Sequence, residues 1–70
     1  MFINFLVQED GEAAKVLEYE GDYTLKDLEK IFLDLLDIDK EWLFFGTRPN
    51  GFTTRKKYIK TVYLRESKIT

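Results

Sequence analysis

The chain has 70 residues, no cysteine and no histidine, 44% hydrophobic and 16% aromatic content, and a net charge of −2. A chain of that length encloses one core, and without disulfides or the usual zinc ligands its stability has to come from aromatic packing. The missing histidine and cysteine also remove the commonest general base and the best nucleophile, and no apolar run approaches the roughly 20 residues that span a bilayer.

The opening MFINFLVQ alternates, with Met1, Ile3, Phe5 and Val7 on one face of a strand and Phe2, Asn4, Leu6 and Gln8 on the other. This start has neither a basic lead-in nor a small-residue cleavage site, so no secretory leader is expected. Asp10-Gly11 is a turn signal, because Gly11 takes positive φ without a Cβ clash. KVLEYE then returns as a second strand, Leu17 and Tyr19 on one side, Glu18 and Glu20 on the other.

From Gly21 the period changes. Leu25, Leu28, Ile31, Phe32, Leu35 and Leu36 form an apolar helical stripe, while Lys26, Asp27, Lys30, Asp34 and Asp37 face away. Thr24 with Asp27 three residues on has the spacing of a capping box, and Tyr23 with Leu28 that of a hydrophobic staple. Leu33 falls off the stripe and reads as an exposed leucine. After the helix, WLFFG is a strand with Gly46 at its bend, Pro49-Asn50-Gly51 is turn chemistry, and residues 47–58 are expected to form a loop. The last strand is KTVYLRE. Two parities are open to it: Val62 and Leu64 inward, which is preferred, or Ile59 and Tyr63 inward.

This order is a β-hairpin, a helix and two further strands. It predicts a single α+β domain over residues 1–70, with a mixed sheet on one face of the helix and the first and last strands central and parallel. The opening Met-Phe-Ile hairpin, LEYEGDYTLKDLEKI, Leu43-Phe44-Phe45-Gly46 and Val62-Tyr63-Leu64-Arg65 together resemble the ubiquitin-like β-grasp family over nearly the whole chain. The ending RESKIT has no Gly-Gly pair, so the resemblance does not extend to conjugation. It implies an interaction module that uses the open face of its sheet. On that face Phe44 would be the apolar centre, with Tyr63 and Leu6 beside it and Arg48 and Arg65 on a basic rim. Pleating leads to the same view of Phe44: with Leu43 and Phe45 turned to the helix, Phe44 points the other way.

Charge is distributed unevenly. Residues 1–41 hold twelve acids and four bases, net −8, and residues 42–70 hold seven bases and one acid, net +6. Three readings follow. A non-enzymatic module, with no metal or cofactor, would bind an acidic and apolar protein surface, its basic segment steering the approach. A single-strand nucleic-acid binder would use the basic and aromatic stretch 48–60, where Arg55, Lys56, Lys57 and Lys60 meet phosphates and Phe52 and Tyr58 stack on bases. An acidic mimic of nucleic acid would present Asp27, Glu29, Asp34, Asp37, Asp39 and Glu41. The first is preferred, because a sequence pI near 5.0 opposes a polyanion. The bland alternative for the charge pattern is that oppositely charged segments lie side by side and neutralise each other. The carboxylate pairs at the helix end lack the spacing of a calcium loop. A protein partner, a cytoplasmic location and a monomer or weak homodimer complete the expectation.

Overall fold

Alternation makes Phe2–Val7 and Lys15–Glu20 pleated strands, and they pair as the antiparallel hairpin β1–β2, with Ile3 opposite Tyr19 and Phe5 opposite Leu17. The computed structural model, which describes residues 1–47 and 50–68, places Gly11 in the connection at φ 77°, as its turn signal requires. The helix α1 covers Leu25–Leu36. At its start the Asp27 carboxylate accepts the Thr24 backbone N–H at 2.7 Å and the Thr24 hydroxyl at 3.1 Å. It ends at Asp37, whose carboxylate accepts the Asp39 N–H at 3.0 Å, an Asx turn that competes with a further helical turn.

Three strands follow the helix rather than the expected two. Trp42–Thr47 (β3) and Asn50–Arg55 (β4) form an antiparallel hairpin with Phe45 opposite Phe52. A single 3₁₀ turn, Lys56–Tyr58, then leads into Ile59–Arg65 (β5). The segment expected as a loop thus holds β4, in which half-buried Phe52 and buried Thr54 alternate with exposed Thr53 and Arg55. Its glycine and its flanking turn residues masked that alternation.

The extra strand also corrects the topology. The strands form a three-stranded sheet ordered β2-β1-β5 and the separate pair β3-β4. β1 and β5 pair antiparallel, where a mixed sheet with parallel pairing was expected. The reason is a count of reversals. The helix ends, and β3 begins, at the pole where β1 finishes. β4 returns the chain to that same pole, shown by Lys56 N–H donating to the Glu41 carbonyl and Gln8 N–H to the Tyr58 carbonyl, both at 2.9 Å. β5 has only one direction left to run.

Both α1 and the β3–β4 hairpin cover the same face of the three-stranded sheet. The core is Ile3, Phe5, Val7, Ile31, Leu43 and Val62, ringed by partly buried side chains that include Tyr19, Leu28, Phe45, Phe52 and Leu64. Val62 and Leu64 therefore point inward, the preferred parity. Phe5 is the hub: its ring centroid lies 4.7 Å from Phe45, 4.9 Å from Phe52 and 6.4 Å from Tyr19. These contacts set the hairpin over β1 and β2, while α1 packs beside it against β5. Burial, and secondarily Tyr23, push the Tyr19 phenol above its ordinary value.

Candidate functional site

Because both covering elements sit on one side, the pleat leaves Phe2, Asn4 and Leu6 of β1 on the outer face that neither covers, with Val16 and Glu18 of β2 and Thr61, Tyr63 and Arg65 of β5. Tyr63 stands directly opposite Asn4, and Leu6 opposite Val16 and Thr61. Leu6, Tyr63 and Arg65 therefore share this face, spread from one end of β1 to the other. Phe44 is not with them. It is 78% exposed, but on the outer side of the β3–β4 hairpin with Trp42, Thr53 and Arg55, so it looks away from the three-stranded sheet. The expected single patch is split by the same hairpin that corrected the topology. Arg48 lies outside the described residues.

The sequence reading passed over the residue at the centre of the outer face. Asn4 is completely buried, and neither its amide nitrogen nor its carbonyl oxygen has a hydrogen-bond partner. Its signal was a lone amide inside the apolar run FINFLV. An orphaned buried polar group costs about 1–3 kcal/mol. Replacing Asn4 with valine should therefore raise stability by about 1–2 kcal/mol, the branched side chain also suiting a strand. A urea midpoint that stays put or falls would mean that the amide already has a partner in solution.

The basic segment has a structural use. At the pole shared by the β1–β2 loop, the helix C-terminus and the 3₁₀ turn, Arg55 and Lys57 lie near acids from the first half of the chain and Lys56 meets a backbone carbonyl. Lys56 Nζ donates to the Asp37 carbonyl at the helix end, the position where α1 has no basic residue of its own. Arg55 reaches Glu41 at 3.9 Å and lies 4.8 Å from the Trp42 ring centre. Lys57 reaches Asp10 at 4.0 Å, and the Tyr58 hydroxyl donates to the same carboxylate at 3.4 Å. Phe52 faces the core, its ring spent on Phe5 and Tyr19. Lys60 is exposed at a register shift between β1 and β5.

The acidic helix face is likewise occupied. Asp27 caps, Asp37 stops the helix, and Asp34 accepts from Lys40 at 2.8 Å. That hydrogen bond holds the Asp34 carboxyl below its ordinary range and the Lys40 ammonium above it. The Lys40 pair is exposed and screened by solvent, so it adds little to stability. Lys56 is different, being partly buried and set against the negative end of the helix dipole. Lys56→Met, which keeps the apolar stem, should cost about 1–2 kcal/mol, read as a drop in melting midpoint. An unchanged midpoint would show the contact to be incidental.

Among the described residues no group of three His, Cys, Asp or Glu converges as a metal site, and no helix is long and apolar enough to cross a membrane. No family model, curated protein or solved structure matches the chain.

Proposed function

We propose that this chain is a non-enzymatic protein-interaction domain whose docking face is the outer surface of the β2-β1-β5 sheet. The observation that carries the reading is the orphaned Asn4 amide at the centre of a half-buried apolar patch of Phe2, Leu6 and Tyr63. Asn4 is covered at rest, so a partner amide that satisfies both its ends has to part the side chains around it, which then exclude water from those bonds. Arg65 at the rim favours an acidic group on the partner and would act mainly on encounter rate and selectivity. The use of Lys56 at the helix end and a sequence pI near 5.0 support this reading over a nucleic-acid one.

The likeness to ubiquitin-like β-grasp domains points to the same face through the shared order of hairpin and helix. The antiparallel β1–β5 pairing departs from that family's pattern, so the reading rests on the face itself.

The test is affinity capture from native lysate with and without nuclease, comparing wild type with Leu6→Lys, Tyr63→Ala and Phe44→Ala. Retention should survive nuclease, fall at least about tenfold for Leu6→Lys and Tyr63→Ala, and persist for Phe44→Ala. A partner lost on nuclease treatment, or lost only with Phe44→Ala, would overturn the proposal.

A further inference from the structure

A second surface arises independently, on the opposite side of α1 from the hairpin. Asp27, Lys30 and Ile31 of α1 share a cleft with Phe44 and Phe45, so that flank faces β3–β4. At 100° per residue, Leu25, Phe32 and Leu36 lie on the other flank. The sequence stripe had counted all three as core, yet Leu25 and Leu36 are each 76% exposed and Phe32 40%. The core takes only Leu28, Ile31 and Leu35 from the helix. Because the hairpin sits over β1 and β2 while α1 sits over β5, this uncovered flank overhangs the outer edge of β5. In the described structure β5 pairs with β1 alone, so its outer edge carries a row of unpaired backbone groups on the side of the molecule where this apolar stripe is uncovered.

We infer that this seam is a two-fold interface between copies of this chain, β5 pairing antiparallel with β5 of a second copy and the two helices meeting above it. A strand that carries an apolar helix flank above its edge is what the seam fits, and the chain itself supplies that unit. The length of the regular edge selects a register. The shift beside Lys60 confines the regular edge to Thr61–Arg65, whose midpoint is Tyr63. A two-fold axis at Tyr63 sets Val62 against Leu64 of the other copy on the inner face. Moving the axis to Val62 or Leu64, the neighbouring registers that keep each side chain on its own face, would leave only three of those five residues opposite one another.

The inner faces stay on the same side of the joined sheet, so the antiparallel helices bring Leu25 of one copy toward Leu36 of the other. Those two leucines and Phe32 expose on the order of 400 Å² per copy. With the strand edge added, this approaches the roughly 600–800 Å² per partner of a stable interface.

The chain contains no cysteine, which permits a direct test. Tyr63→Cys introduces a single thiol. If Tyr63 lies on the axis, its two copies stand at the about 4.5–5.5 Å separation of an antiparallel pair, within the range of a disulfide. Mild oxidation at tens of micromolar should convert most of the protein to a covalent dimer, whereas Phe44→Cys, more exposed but on the far side, should stay largely monomeric. In sedimentation equilibrium the wild type should dimerise, and Leu25→Glu with Leu36→Glu should raise the apparent Kd at least about tenfold. Both positions are exposed, and circular dichroism checks that the double variant keeps its fold. Equal cross-linking of the two cysteine variants, or a wild type that stays monomeric at millimolar concentration, would overturn the inference. A folded double variant that dimerises like wild type would do so as well.

Discussion

Phe5→Ala is expected to leave the domain largely unfolded. Truncating a buried phenylalanine costs about 3–5 kcal/mol, and a single core in a chain this short supplies only about 3–5 kcal/mol in all. Phe5 is fully buried on the central strand, and its ring joins both halves of the molecule, touching Tyr19 of β2 on one side and Phe45 and Phe52 of the hairpin on the other. With no disulfide, the hairpin is held over the sheet chiefly by these rings, so the loss should not stay local. Near-ultraviolet circular dichroism should lose its aromatic signal, and urea unfolding should lose its cooperative transition. Phe5→Leu, which retains most of the volume, should stay folded at a cost nearer 1.5 kcal/mol. A cooperative Phe5→Ala transition weakened by less than about 2 kcal/mol would show that the aromatic cluster is not what unites the two layers.

Gly46→Ala is expected to cost at least about 2–3 kcal/mol for two separate reasons. The residue has φ 99°, a conformation side chains with a Cβ rarely adopt. An added Cβ would also sit 2.3 Å from the Asn50 carbonyl oxygen and 2.6 Å from the Gly51 Cα. Both neighbours are backbone of the paired strand, so neither can swing aside as a side chain would. Relief requires the β3–β4 register to open, which pulls Phe45 and Phe52 off Phe5. The melting midpoint should fall by about 10 °C or more. Gly11→Ala provides the control. Gly11 also has positive φ, at 77°, but an added Cβ would meet nothing within 4 Å, so only the conformational cost of about 1 kcal/mol remains. Equal shifts for the two variants would remove the steric half of the explanation.

The two halves of the charge pattern answer each other within one pole of the molecule. The first 41 residues bring Asp10, Glu41 and the Asp37 backbone carbonyl to that pole, and the later segment brings Lys57, Arg55 and Lys56 to them. What looks in the sequence like a hook for a partner lies beside acids of its own chain, and the docking surface proposed above is instead the outer face of the three-stranded sheet, where an amide is stranded.

Local patterns were sufficient for the first hairpin, the capped helix, the strand after it, and the inward turn of Val62 and Leu64. Each depends on periodicity and turn chemistry within a few residues, which the amino-acid order states directly. The existence of β4, the antiparallel β1–β5 pairing and the separation of Phe44 from Leu6 and Tyr63 were decided only in three dimensions. A strand's direction depends on which pole the chain has reached, and a residue's neighbours depend on which sheet its strand joins. The same holds for Leu25 and Leu36. Their spacing marks an apolar face, but which part of that face finds a cover depends on how much width the hairpin beside the helix leaves to be filled.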